Sequence, residues 1–222
     1  MIIIYTGGIG QGKTLSVVKD IIDRKNHSYT NFDLNKIKNI TRLKVDHLFK
    51  EDPENKKKKT LNYDYWRQRI KKGGFDIYLD EFHNIMNSRR SMSKTSVLMS
   101  DWLSQIRKIL GDSEKHNLYL LTQKLKRIDV NSRDLATIAI KCEKQQIPSV
   151  LIPTEVRENG KLITKRLPLT IIYKRYFRGS DALNNFEEFG IDRSIQTTRF
   201  IANPYYKFFN SYELVEFGSE YI

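Results

Sequence analysis

Residues 1–16 read MIIIYTGGIGQGKTLS, and within them Gly7-Gly8-Ile9-Gly10-Gln11-Gly12-Lys13-Thr14 fits the spacing G-x-x-x-x-G-K-[ST]. Ahead of this segment, Ile2 to Thr6 is a short run of β-branched and aromatic residues, which predicts a buried parallel strand. The glycines at 7, 8, 10 and 12 leave no Cβ to keep backbone N–H groups from converging on an anion. Lys13 stands where a helix begins, and the positive end of a helix dipole favours a phosphate there. Its ammonium is expected to reach the β- and γ-phosphates of a nucleotide, and the Thr14 hydroxyl to ligate Mg²⁺. Leu15, Val18, Ile21 and Ile22 recur at helical spacing and predict a helix packed on the sheet. A glycine-rich turn that only closes a strand–helix unit would not require the lysine and threonine at these positions.

Two further segments bear on what a bound phosphate is used for. Asp76-Ile77-Tyr78-Leu79-Asp80-Glu81 reads as a strand ending in two acids, at the tip of a strand beside the phosphate loop. Asp80 in that place can hold a magnesium ion and its waters. Glu81, next in the chain, can orient and deprotonate a water. Leu118-Tyr119-Leu120-Leu121-Thr122-Gln123 reads as another strand, ending in an amide that would lie near the γ-phosphate. His83 is expected to make a structural hydrogen bond, and Trp66 and Trp102 to pack in the core rather than to stack on a ligand.

The three motifs resemble the additional-strand, catalytic-glutamate class of P-loop ATPases. Residues 1–143 further resemble the Zot-like and FtsK–HerA group, which includes phage morphogenesis ATPases and viral genome-packaging ATPases. The resemblance is carried by GGIGQGKT, YTNF, IYLDEFHNIMNSRRSMS, WLSQIRK and LYLLTQKLKRIDVNSRDLA, and late in the chain by YYKFFNSYELVE with Asn210-Ser211. It implies an α/β fold with a mostly parallel central sheet flanked by helices, ATP and Mg²⁺ as cofactors, and a ring-forming or filament-associated ATPase. Its partners would be viral double-stranded DNA, virion or capsid proteins, and further copies of the chain, in the cytoplasm of a host cell. In such rings an arginine of one subunit completes the neighbour's site. The candidates are Arg89, Arg90, Arg107 and Arg133, with Arg107 preferred because it ends a rigid helix.

The remaining sequence bounds this reading. Lys and Arg outnumber Asp and Glu by 39 to 26, a net charge of +13 that favours a polyanionic partner, with nucleic acid weighed ahead of an acidic membrane surface. Lys124, Lys126, Arg127 and the basic residues of 56–72, including Lys56-Lys57-Lys58-Lys59, are candidates for phosphate contacts without sequence readout. The single cysteine, Cys142, permits no internal disulfide, and no zinc-ligand spacing is present. No apolar run approaches the ~18–20 residues a membrane helix needs.

Helices are expected over 61–72, 95–110, 131–136 and 181–189, with Leu98, Trp102, Ile106, Ile109 and Leu110 facing the core from the second of these. Strands are expected over 29–32, 75–79, 117–121, 137–142, 148–157 and 161–176, the last two joined by a hairpin turn at Glu158-Asn159-Gly160. Residues 33–60 read as a polar loop and the last thirty as an irregular aromatic tail. The expected division is an ATPase core over 1–145 and a C-terminal extension with the β-hairpin over 146–222.

Other phosphate chemistries fit less well. A nucleotide kinase has no use for a water-activating Glu81 and usually carries an arginine-rich lid. A switch GTPase needs Asn-Lys-x-Asp, where Thr122-Gln123-Lys124-Leu125 stands. A scaffold that merely retains nucleotide would not keep Lys13, Thr14, Asp80 and Glu81 together. Zot-like morphogenesis proteins typically carry a transmembrane anchor after the ATPase domain. None follows here before Ile222, so the expectation is a DNA-packaging motor, with phage assembly and extrusion as the alternative.

Overall fold

The computed structural model describes residues 1–52, 59–85, 94–111 and 115–209. Its centre is an eight-stranded sheet. In chain order the strands are β1 (Ile2–Thr6), β2 (His27–Thr30), β3 (Ile40–Arg42), β6 (Phe75–Leu79), β7 (His116–Leu121), β8 (Ile138–Glu158), β9 (Lys161–Arg178) and β10 (Gln196–Ile201). A separate two-stranded antiparallel sheet is made of β4 (Phe49–Glu51) and β5 (Lys59–Leu61). The spatial order of the large sheet is β10-β9-β8-β1-β7-β6-β2-β3, parallel from β8 to β3 and antiparallel at β9 and β10.

The parallel part has helices on both faces, which is why β1, β6 and β7 are buried at every residue. Strand alternation sorts their side chains into two layers. Ile3, Tyr5, Tyr78, Tyr119, Leu121, Ile140 and Cys142 meet Val17 and Ile21 of helix α1 (Lys13–Arg24). Ile2, Ile4, Ile77, Leu79, Leu118 and Leu120 face the other way. They meet Trp66 of α3 (Tyr63–Ile70), and Met99, Trp102, Leu103 and Ile106 of α5 (Lys94–Leu110). Both tryptophans are fully buried packing residues, with Trp66 stacked on Phe75 at 5.4 Å between centroids.

β7 lies between the acidic strand β6 and the phosphate-loop strand β1, the inserted strand that the additional-strand class implies, and β6 still ends beside the loop. Other sequence expectations change. Residues 33–60 are not one polar loop. Within them β3 pairs with β2, α2 (Val45–Leu48) follows, and Leu43, Leu48 and Phe49 are buried. Strand β2 is His27–Thr30, so Asn31 and Phe32 have already left it.

The strands expected at 137–142 and 148–157 are one strand, β8, which runs through position 145 with a register shift between Ile147 and Leu151. With β9 it makes a long arm whose tip turns through Asn159 and Gly160, both at positive φ. The aromatic tail, described here to Phe209, is not irregular over that length. It supplies the edge strand β10 and a 3-10 helix over Asn203–Phe208. Asn203 pins this helix to the arm. Its Oδ1 accepts from Thr170 N at 2.8 Å, and its Nδ2 donates to Pro168 O at 3.0 Å and Thr154 Oγ1 at 3.2 Å. Asn210-Ser211, Lys56 to Lys58, Arg89 and Arg90 lie outside the described residues.

Candidate active site

The segment between β1 and α1 is shaped by contacts as well as by conformation. Gly7 stands at φ 145°, and a Cβ there would lie 2.6 Å from the backbone oxygen of Cys142 on β8. Gly12, at φ 89°, caps α1 and would meet the Ile172 side chain of β9 at 2.4 Å. The loop therefore rests on the root of the β8–β9 arm, and any side chain at either position would push it off that floor. Gln11 stitches the same surfaces, its Oε1 accepting from Lys144 N at 2.8 Å. Cys142 lies beneath, fully buried, with its Sγ 3.6 Å from Ser16 Oγ. Burial pushes its thiol up to about 11.

Lys13 opens α1, and its Nζ donates to the carbonyls of Gly7 at 2.8 Å and Gly8 at 3.1 Å. It is 7 % exposed. Burial lowers its pKa, against the pull of Asp80 and Glu81, which favour the charged form. Thr14 Oγ1 donates to Asp80 Oδ2 at 2.9 Å, so the first turn of α1 and the end of β6 meet through one hydrogen bond. Burial raises the Asp80 pKa, and hydrogen bonds from Thr14 and the Glu81 amide oppose that rise.

The backbone of Asp80 is clamped by a residue that the sequence reading did not assign a role. The fully buried Asn31, just past β2, accepts from Asp80 N at 2.7 Å and donates to Asp80 O at 3.0 Å. Its only sequence signal was a polar amide at a strand end. The chain then turns sharply: Glu81 has φ 50°, a left-handed conformation uncommon outside glycine and asparagine, and its N–H donates to Asp80 Oδ1 at 2.8 Å. Strain of this kind persists only where the surroundings over-determine it, and the Asn31 clamp directly before Glu81 does so.

Glu81 meets Gln123 and His83. Gln123 Nε2 donates to Glu81 Oε2 at 3.4 Å, and His83 Nε2 lies 3.2 Å from the same oxygen. Burial, then Arg127 and Lys13, hold His83 below its ordinary pKa, which favours a neutral ring. Arg127, a candidate for phosphate contacts, is exposed, and its Nη1 donates to Gln123 Oε1 at 2.8 Å. Lys126 is engaged with Glu188 of helix α7 (Gly179–Phe189), while Lys124 is exposed. Thr14, Asp80, Glu81 and Gln123 are thus linked by hydrogen bonds at the C-terminal ends of three parallel strands, with Lys13 next to Thr14 and held on the phosphate loop. Arg107 is exposed on α5, and Arg133 is half-buried on α6 (Val130–Asp134). Among the described residues no hydrogen bond or ion pair joins either side chain to this cluster.

Asp76, at the other end of β6, has a different environment. Its buried carboxylate accepts from Arg24 Nε at 2.8 Å, Asn26 Nδ2 at 3.0 Å and Asn117 N at 3.1 Å. It ties α1, β6 and β7 together and stands apart from the candidate site.

No curated protein matches the chain. Among solved structures it is similar to the N-terminal domain of zonular occludens toxin from Neisseria meningitidis, at 17 % identity and a TM-score of 0.48, covering 90 % of this chain and 92 % of that one. A genome packaging NTPase from Sulfolobus turreted icosahedral virus 2 in complex with ATP-gammaS is similar at 11 % identity and 0.40, covering 71 % and 76 %. A KaiC-like protein from Pyrococcus horikoshii is similar at 13 % identity and 0.42, covering 80 % and 79 %. The family described as Zonular occludens toxin (Zot) matches residues 1–161. With its phosphate-loop motif, its mostly parallel helix-covered sheet and that match over most of its length, the chain belongs to the Zot family.

Proposed function

We propose that this chain is an ATP-hydrolysing motor of virion assembly. The observation that carries the reading is the hydrogen-bonded set of Thr14, Asp80, Glu81 and Gln123, converging on Glu81, with Lys13 beside it on the phosphate loop. Lys13 and the N-terminus of α1 bind and orient the phosphates. Thr14 and Asp80 are the oxygen ligands that would hold Mg²⁺, a fit supported by their side-chain oxygens meeting at 2.9 Å beside the phosphate loop. When bound, the ion would neutralise charge on the transferring phosphate. Glu81 orients and deprotonates the attacking water, and Gln123 reads the γ-phosphate position. Arg107, exposed at the end of a long helix, remains the proposed residue acting in trans in a ring of identical subunits.

The net charge of +13 supports viral nucleic acid as what is moved. Double-stranded DNA entering a capsid is one form of that cargo. Membership in the Zot family supports the second reading, assembly and extrusion of a phage. No helix among the described residues is long and apolar enough to cross a membrane. The test is ATP turnover by the purified oligomer, without DNA and with duplex or single-stranded DNA, at low and moderate salt. Salt-sensitive stimulation by one strand form is expected. Turnover that no DNA stimulates at low salt would favour a motor acting on virion proteins. Lys13→Ala should abolish turnover, while Glu81→Gln should bind ATP and hydrolyse it about a hundredfold or more slowly. Unchanged turnover in both variants would overturn the site.

A further inference from the structure

We propose that Arg127 is a positioning residue for the hydrolytic site, acting on Glu81 through the amide of Gln123. The inference rests on the reading above and adds a residue to it. A glutamine amide has two chemically distinct ends, and what surrounds it decides which way it faces. The guanidinium only donates, so the Arg127 Nη1 contact at 2.8 Å requires the carbonyl of Gln123. A carboxylate only accepts, so the contact with Glu81 at 3.4 Å on the other side requires the NH₂ group. The two demands agree. Arg127 locks the amide with its donors turned toward Glu81, the orientation a γ-phosphate reader needs as well. The same Nη1 lies 3.4 Å from His83 Nε2, so Arg127 also borders the second group that touches Glu81.

The backbone carrying Arg127 is fixed independently of its side chain. Leu125 and Ile128 on either side are fully buried. The 3-10 turn over Leu125–Arg127 is closed by Arg127 N to Lys124 O and Ile128 N to Leu125 O, both at 3.1 Å. Thr122 Oγ1 donates to Lys124 O at 3.1 Å. The Arg127 side chain is exposed, so truncating it removes a brace and leaves the core intact.

The test compares Arg127→Ala, Arg127→Lys, Gln123→Ala and the Arg127→Ala/Gln123→Ala double variant in steady-state ATP turnover. Arg127→Ala should lower kcat by roughly 10- to 100-fold with KM within about twofold, as misplacement of a group acting at the transition state does. Arg127→Lys, which can still donate to the carbonyl, should recover part of the loss. The double variant should be no slower than Gln123→Ala alone, because Arg127 works through that residue. An additive loss, an unchanged kcat, or a salt-dependent rise in KM would each overturn the proposal. The side-chain amide resonances of Gln123 give a readout that needs no turnover. They should shift in Arg127→Ala, and unmoved resonances would overturn the proposal even if the chain proved not to hydrolyse ATP. A chain with no turnover but with the shift would overturn the hydrolytic reading alone.

Discussion

At the scale of single residues, the candidate site is held in shape by groups outside the phosphate loop and the acid pair. Asn31 is the clearest case. It satisfies both backbone groups of Asp80 from a position 49 residues away, and those groups hold the turn that places Glu81 at φ 50°. Asn31→Ala leaves two buried polar groups unpaired, each at a cost of about 1–3 kcal/mol. The expected result is a lower Tm, by roughly 2–4 °C per kcal/mol in a chain of this size. ATP turnover should fall further than ATP binding, since Lys13 and α1 are untouched. Scanning calorimetry and nucleotide titration of the same sample separate the two effects. Equal loss of binding and turnover would mean that Asn31 supports the fold and not the placement of Glu81.

At the scale of elements, the arm formed by β8 and β9 is both floor to the phosphate loop and a projection beyond it. Asn203 fastens the 3-10 helix to its middle. Asn203→Ala should speed hydrogen exchange at the Thr170 amide, which it receives at 2.8 Å, without altering exchange in β1 or β6. Exchange that stays slow at Thr170 would show the arm to be held elsewhere.

This arm also marks where the sequence stopped being legible. Strands such as Ile2–Thr6 were plain because burial on both faces selects near-continuous apolar runs. In Lys144-Gln145-Gln146-Ile147-Pro148-Ser149 the strand has solvent to one side and an antiparallel partner to satisfy its backbone, so polar residues and a proline at the register shift do not end it. The candidate site was legible where chemistry fixes spacing, at Gly7 to Thr14 and at Asp80-Glu81. Asn31, Ile172 and Arg127 were not, because each acts on a partner that only the fold brings near.

At the scale of the whole molecule, its pH response follows from its histidines. Burial is the largest cause holding His27, His47, His83 and His116 below their ordinary pKa. The native chain therefore binds fewer protons than the unfolded one once the pH falls through ~6.5. Stability is full above that value and declines below it, until the native histidines also protonate. Asp80, raised by burial, contributes in the opposite sense, so the comparison belongs in Asp80→Asn. Tm in that variant should be lower at pH 5.5 than at pH 7.5, and a flat or rising Tm would contradict the assignment.

Cys142, the sole thiol, gives this fold a clock of its own. Carried on β8, it is sealed against α1 under the phosphate loop, with its pKa pushed up to about 11. A thiol reagent can reach it only when helix and strand part. The rate of alkylation under native conditions thus counts those openings one molecule at a time, with no label beyond the one the chain already carries.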